Sequence, residues 1–239
     1  MSRQKRTQLL LAAIGLAAFV ATALVIVSQF GNSGTRAANP ATTQLLGTAD
    51  NATLLAGIPQ HGTVLGSAKA RVTLVEYADL QCPYCGEFAR NGLPPLIRDY
   101  VRTGRVRFVF RGLAFVGPES DAALRAALAA GHQNRLWNFV HLLYGNQGTE
   151  NSGWVTDGFI RSVAGEIAGA DVTRLVTDAQ TQLVSDEMAA AQRLATRKDG
   201  VNSTPSFLVG RTGGVLTRLN VKSLDPAAFR PTLDKLLQG

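Results

Sequence analysis

Cys82 and Cys85 are the two cysteines of this 239-residue chain, and two residues separate them. Two cysteines cannot make a disulfide framework, so they form either a redox couple or one structural staple. They fall within Leu74-Val75-Glu76-Tyr77-Ala78-Asp79-Leu80-Gln81-Cys82-Pro83-Tyr84-Cys85-Gly86-Glu87-Phe88-Ala89-Arg90, where an apolar strand pattern runs into a helical one. Pro83 suits the first helical position, which needs no backbone N–H and accepts proline's fixed φ. Cys82 is then the N-cap, its sulfur beside the unpaired N–H groups of the first turn, where a thiolate is stabilised. That makes Cys82 the expected nucleophile. Lowering a thiol pKa by three units means stabilising the anion by roughly 4 kcal/mol, and a helix end supplies about 2 kcal/mol at most. The rest has to come from hydrogen bonds to the sulfur, for which the backbone N–H groups of Tyr84 and Cys85 are placed.

Cys85, one turn further in, is the expected resolving thiol. Its proton needs an acceptor when it attacks a mixed disulfide, and Glu76 stands six residues before Cys82 in an otherwise apolar strand. Burial would raise the Glu76 pKa toward the working range. The alternative is that Glu76 lies on an exposed strand face. His61, His132 and His141 show no spacing that completes a four-ligand zinc site, so no metal is expected; no cofactor is expected either.

The elements that must position these residues follow from periodicity. Thr63 to Gly66 predicts a short first strand, and Val72 to Tyr77 a central strand leading into the cysteines. Phe88, Leu93, Leu96, Ile97 and Tyr100 recur at helical spacing, with Pro94 and Pro95 expected to kink or break that helix near Leu93. Val106 to Arg111 alternates as the next strand, completing a β-α-β unit and hence a parallel pair. From Pro118 to Lys198 the pattern is helical: Asp121 to Gly131, Leu136 to Tyr144, Val155 to Ala164, and Asp171 to Lys198 with a break. Trp137, Phe139, Leu142, Leu143 and Tyr144 are expected to pack. The chain returns to a strand after Thr204-Pro205, continues through a Gly213-Gly214 hairpin, and closes with a helix opened by Asp225-Pro226.

The Glu76 to Cys82 spacing, the Cys82-Pro83-Tyr84-Cys85 motif and the later Thr204-Pro205 resemble the DsbA-like branch of the thioredoxin superfamily, in particular its membrane-anchored bacterial members. The chain between the motif and Thr204-Pro205 is far too long for a bare thioredoxin or glutaredoxin fold. The resemblance covers residues 61–239. It implies an α/β thioredoxin-like fold with a helical subdomain inserted at about 117–199. It also implies a cis Thr204-Pro205 bond facing the cysteines, with Pro205 against the sulfurs and the Thr204 carbonyl and N–H free for an extended substrate backbone. A plain trans turn proline is the other reading of Pro205. The active-site set is then Cys82, Cys85, Glu76 and Pro205, with Pro83, Tyr84 and Thr204 lining the substrate side.

Leu9 to Val27 is an apolar run of nineteen residues, about 28 Å as a helix and close to the roughly 30 Å hydrocarbon core. Arg3, Lys5 and Arg6 precede it and Arg36 is the first basic residue after it, so residues 1–8 belong inside and the rest outside. A retained anchor at 9–27 is favoured over a cleaved signal peptide, because no clear cleavage site follows Val27. Either way the domain reaches a compartment where disulfides form. Residues 28–60, rich in Asn, Thr, Ala and Gly, are expected to be a flexible tether, with room for some of it to pack on the domain. The formal charge of +7 divides as +3 over residues 1–60 and +4 over 61–239. Arg102, Arg105, Arg107 and Arg111 form the densest basic cluster without a stacking platform of aromatic residues, which speaks against nucleic acid.

The function expected from these readings is an extracytoplasmic thiol-disulfide oxidoreductase, single-pass in the cytoplasmic membrane, that donates the Cys82–Cys85 disulfide to reduced exported proteins. The resemblance implies reoxidation by a quinone-linked membrane partner of DsbB-like or VKOR-like kind. Two alternatives stay open from sequence: a reductase or isomerase of exported proteins, and a redox-responsive binding protein or chaperone.

Overall fold

The computed structural model describes residues 45–238. Six strands form one sheet in the order β1-β2-β4-β3-β5-β6: β1 Gln60–His61, β2 Val64–Leu65, β3 Val72–Ala78, β4 Val106–Gly112, β5 Ser206–Arg211 and β6 Thr217–Leu219. β3 and β4 pair in parallel, as a strand-helix-strand unit requires, and every other pairing is antiparallel. All seven residues of β3 are buried, because the strand is covered on both faces. β4 instead alternates buried and half-buried residues.

Helices fill the stretch between β4 and β5: Pro118–His132, Leu136–Gly145, Asp157–Gly165, Val172–Asp178 and Gln182–Arg193, the last continued by a π-helical turn Leu194–Lys198. Thr156, Asp171 and Thr181 each cap the helix that follows by accepting a backbone N–H. This helical insertion shares one core with the sheet. Trp137 is buried, its ring edge-on to Phe108 and Phe110 of β4 and its indole N–H donated to the Thr63 carbonyl at 3.1 Å. The final helix, Pro226–Gln238, brings Phe229 against Phe88 and Phe207.

Two expectations are corrected. The tether expected over 28–60 is shorter at its end, because Thr48–Leu55 is a helix packed on Leu136–Gly145. Leu45, Leu55 and Ile58 are buried, and Asn51 and Asn138 exchange amide hydrogen bonds. Its weak apolar period hid this helix: tertiary contacts hold it rather than an amphipathic stripe. The second correction concerns Pro94 and Pro95, which do not break the helix. Pro83–Glu87, a π-helical turn Phe88–Gly92, Leu93–Leu96 and a second π-helical turn Ile97–Val101 follow one another without a gap. Wider turns flank the prolines, with Leu93 N–H reaching the Phe88 carbonyl and Arg102 N–H the Ile97 carbonyl, so the ladder is re-registered around the two missing donors. Among the described residues no helix is long and apolar enough to cross a membrane. The span expected at 9–27 lies outside the described residues.

Candidate active site

β3 delivers the motif. Its alternation sends Val72, Leu74, Glu76 and Ala78 to one sheet face and Val75 and Tyr77 to the other. The chain then turns at Asp79-Leu80-Gln81 and starts the helix at Pro83, with Cys82 in extended backbone as the N-cap and Pro83 in the first turn. Both cysteines are free thiols; Cys82 retains 6% exposure and Cys85 none. Pro83 and Tyr84 face solvent.

The two sulfurs are driven apart in acidity. The Cys85 thiol donates to the Cys82 sulfur and is the largest single influence on it. Burial opposes ionisation, while the backbone N–H groups of Cys85 and Tyr84 and the Thr204 side chain favour it, and the result is a pKa lowered to about 6. Cys85 moves the other way, pushed well up by burial first, then by giving its proton to Cys82 and by the negative charges of Glu76 and Cys82. The backbone donors are those expected from the sequence. The thiol-to-thiolate bond adds to them and exceeds either, a donor that the sequence pattern does not announce.

Glu76 is buried at 3% exposure, which overturns the exposed-face alternative. Its neighbours across β4 and β5 are Phe110 and Phe207, and Oε1 has no hydrogen-bond partner. Burial among these rings, with a smaller contribution from the Cys82 charge, raises its pKa to about 8. At neutral pH the carboxyl therefore holds a proton that it can give or take within the site.

Thr204-Pro205 is cis and half-buried. The Cys82 thiol donates to the Thr204 carbonyl at 3.4 Å, so this loop closes one side of the motif. It hangs from the far side of the sheet. Asp199 accepts from Tyr77 Oη at 2.6 Å and Arg111 Nη1 at 2.8 Å, and Arg218 donates to the Gly200 carbonyl and the Ser206 hydroxyl. Ser206 in turn donates to the Ser203 carbonyl.

The opposite side is closed by residues that sequence reasoning missed. Asp79, fully buried, accepts from the backbone N–H groups of Gln81, Phe115 and Val116 and from the Ser120 hydroxyl. Gln81 binds Ser120 and Asn151, and Tyr144 donates its hydroxyl to the Asp79 carbonyl. Asp79 was legible in principle, since an Asp two residues before a turn amide is the signature of an Asx-turn. Gln81, Tyr144 and Asn151 carried no such local signal, because their partners are distant in sequence. Among the described residues no group of three or more His, Cys, Asp or Glu side chains converges as a metal site.

A family model described as Thioredoxin matches residues 60–227, well over half of the chain. The chain belongs to the thioredoxin family. A probable disulfide bond formation protein D of Bacillus cereus is 28% identical over 177 residues, covering 73% of this chain and 78% of the relative. The crystal structure of oxidised BdbD from Bacillus subtilis shares the fold, with a TM-score of 0.65 over 76% of this chain and 98% of that one at 24% identity. A thioredoxin-like oxidoreductase from Silicibacter pomeroyi matches at 28% identity with a TM-score of 0.58, covering 80% and 98%.

Proposed function

We propose that this chain, a DsbA-like thiol-disulfide oxidoreductase of the thioredoxin family, works as an oxidant in the folding of exported proteins, with Cys82 as nucleophile and entry sulfur. The observation that carries the direction is the opposed acidity of the two thiols. A substrate thiolate attacks Cys82 of the oxidised pair, the Cys82–Cys85 bond breaks, and Cys85 leaves. Its high proton affinity is met by the Glu76 carboxyl, which at neutral pH is protonated. A second substrate thiolate then attacks the substrate sulfur of the mixed disulfide. Cys82 departs as a stabilised thiolate, a good leaving group. The substrate has lost two electrons, and the enzyme has gained them as the Cys82 thiolate and Cys85 thiol, while Glu76 recovers its proton from solvent.

Stabilising the Cys82 thiolate favours the reduced enzyme and so raises the reduction potential. The Thr204 backbone beside the motif suits an extended substrate segment, with the exposed Tyr84 and Pro83 bordering it and Pro205 taken to lie against the sulfurs, as the resemblance implies. Reoxidation hands two electrons and two protons to a quinone-linked membrane partner of DsbB-like or VKOR-like kind. An anchor at residues 9–27, N-terminus inside, would hold the domain near that partner at high effective concentration. In support, the apolar run and its basic flank stand in the sequence, and a related disulfide bond formation protein covers most of the chain.

The test is the reduction potential of the Cys82–Cys85 pair, equilibrated with glutathione. A value above about −200 mV is expected, and one near or below about −270 mV would assign the reductive direction instead. A Cys85→Ser variant is expected to accumulate mixed disulfides on Cys82, which a redox-responsive binding protein would not form.

A further inference from the structure

Gln147 lies just beyond the helix Leu136–Gly145, half-buried, with its side chain reaching back into the motif. Its amide nitrogen donates to the Cys82 carbonyl at 3.1 Å and to the Leu80 carbonyl at 3.3 Å. Its amide oxygen accepts from Arg90 Nη1 at 3.4 Å, and the same Arg90 nitrogen is anchored on the Tyr144 carbonyl at 2.7 Å. The orientation follows from the partners. Turning the amide over would set its oxygen against two carbonyls and its N–H groups against a guanidinium.

The helix is shaped to admit this contact. A Cβ on Gly86 would fall 2.1 Å from Gln147 Oε1 and 2.7 Å from Arg90 Nη1. Gly86 is therefore the position over which the amide passes, and its own N–H shares the Cys82 carbonyl with Gln147 at 3.1 Å. Leu80 is fully buried, and among the described residues Gln147 is the donor to its carbonyl. The two carbonyls bracket the turn that ends at the nucleophile.

We propose that Gln147 is a positioning residue for thiol–disulfide exchange: by holding the Leu80 and Cys82 carbonyls from the helical insertion, it fixes the Leu80–Gln81 and Cys82–Pro83 peptide planes, and with them how the Cys82 sulfur enters the first helical turn, where the Tyr84 and Cys85 N–H groups meet it. It touches neither sulfur, and acts through the backbone. Its amide also borders an open groove of about 610 Å³ beside Pro83, lined by Gln81, Tyr144 and Glu150 among others, so solvent reaches it from that side. This role rests on Cys82 being the nucleophile and is independent of whether the enzyme oxidises or reduces.

The experiment is the pH profile of Cys82 alkylation by iodoacetamide in the reduced protein, beside the reduction potential and a thermal melt, for Gln147→Ala, Gln147→Glu and Gly86→Ala. With the donor gone, a worse-aimed first turn is expected to raise the Cys82 pKa and slow alkylation at pH 6 by about three- to tenfold. Gln147→Glu, which keeps the shape and turns both donors into acceptors, is expected to show the largest change. Gly86→Ala, which leaves Gln147 in the sequence but displaces its amide, is expected to match Gln147→Ala. Unchanged alkylation profiles and potentials in folded Gln147→Ala and Gln147→Glu would overturn the role, as would a change in melting temperature alone. Alkylation is read without substrate, so a potential on the reductive side would sink the oxidant reading and leave this one standing.

Discussion

Where the helical insertion meets the motif, Asp79, Gln81, Tyr144 and Gln147 bind it through a dense set of buried and half-buried hydrogen bonds. On the other side Thr204 meets Cys82 through one 3.4 Å contact from its carbonyl, together with its hydroxyl. The loop behind Thr204 is fastened further back, by Asp199 and Arg218. One wall is fixed to the motif itself, and the other is fixed to the sheet and only approaches the motif. The difference separates two tasks. The first wall holds the backbone on both sides of Cys82, and under the proposed function the second is the wall that offers backbone groups to a substrate.

The comparison breaks most sharply at Asp79. Asp79→Ala strips an acceptor from three backbone N–H groups and from the Ser120 hydroxyl inside a fully buried turn. A loss of about 3–5 kcal/mol in urea unfolding is expected. A loss below about 1 kcal/mol would mean the insertion wall does not fix the motif. On the other wall Asp199→Asn gives up the ion pair to Arg111 but keeps an amide oxygen for the Tyr77 hydroxyl. About 1–2 kcal/mol is expected there, with exchange toward a peptide substrate slowed by more than the stability change accounts for. Equal stability losses at the two aspartates would erase the distinction.

A pH titration sharpens it without touching the fold. Between pH 6 and 9 the folded reduced protein has released the Cys82 proton while the unfolded chain still holds it, so the stability of the reduced form rises with pH. Glu76 acts oppositely from pH 4.5 to 8, where the folded state keeps a proton that the unfolded chain has lost. The burial part of the Glu76 contribution, the larger cause, is common to both redox forms and cancels in their difference, while the smaller part owed to the Cys82 charge belongs to the reduced form and only tempers its rise. The stability of reduced over oxidised protein is therefore expected to climb across pH 6–9. Thr204→Val keeps the carbonyl but removes the hydroxyl that supports the thiolate, and is expected to move the start of that climb upward by about half a unit to one unit. An unmoved curve would show that the second wall contributes nothing to the charge on Cys82. The smallest effect is expected at Tyr84, 64% exposed between the cysteines. Tyr84→Ala should leave stability within about 0.5 kcal/mol while raising KM for a peptide substrate about two- to tenfold.

The sequence carried the chemistry and hid the scaffolding around it, for a physical reason. Cys82, Pro83 and Cys85 declare a redox helix end by local spacing, and a glutamate in the run Val72 to Tyr77 declares itself by being out of place. β3 and β4 announced their parallel pairing through the helix between them. Gln147 and Asp199 did not declare themselves, since each is an ordinary polar residue until the fold sets it beside a carbonyl or hydroxyl distant in sequence. Thr48–Leu55 shows no local signal because its helical state depends on Asn138 and its neighbours. Pro94 and Pro95 were read for the donors they lack, whereas the helix around them widened its turns and went on.

β3 is parallel to one neighbour, antiparallel to the other and buried along its whole length. Its amide protons should be the last in the molecule to exchange with deuterium, at a rate set by global unfolding. The loop bearing Thr204 and Pro205 is half-buried and meets the motif through one 3.4 Å hydrogen bond, so its amides are expected to exchange sooner than those of β3. If the exchange order holds, the proposed turnover needs no global unfolding, because the cysteines follow directly on the stretch of chain that opens last.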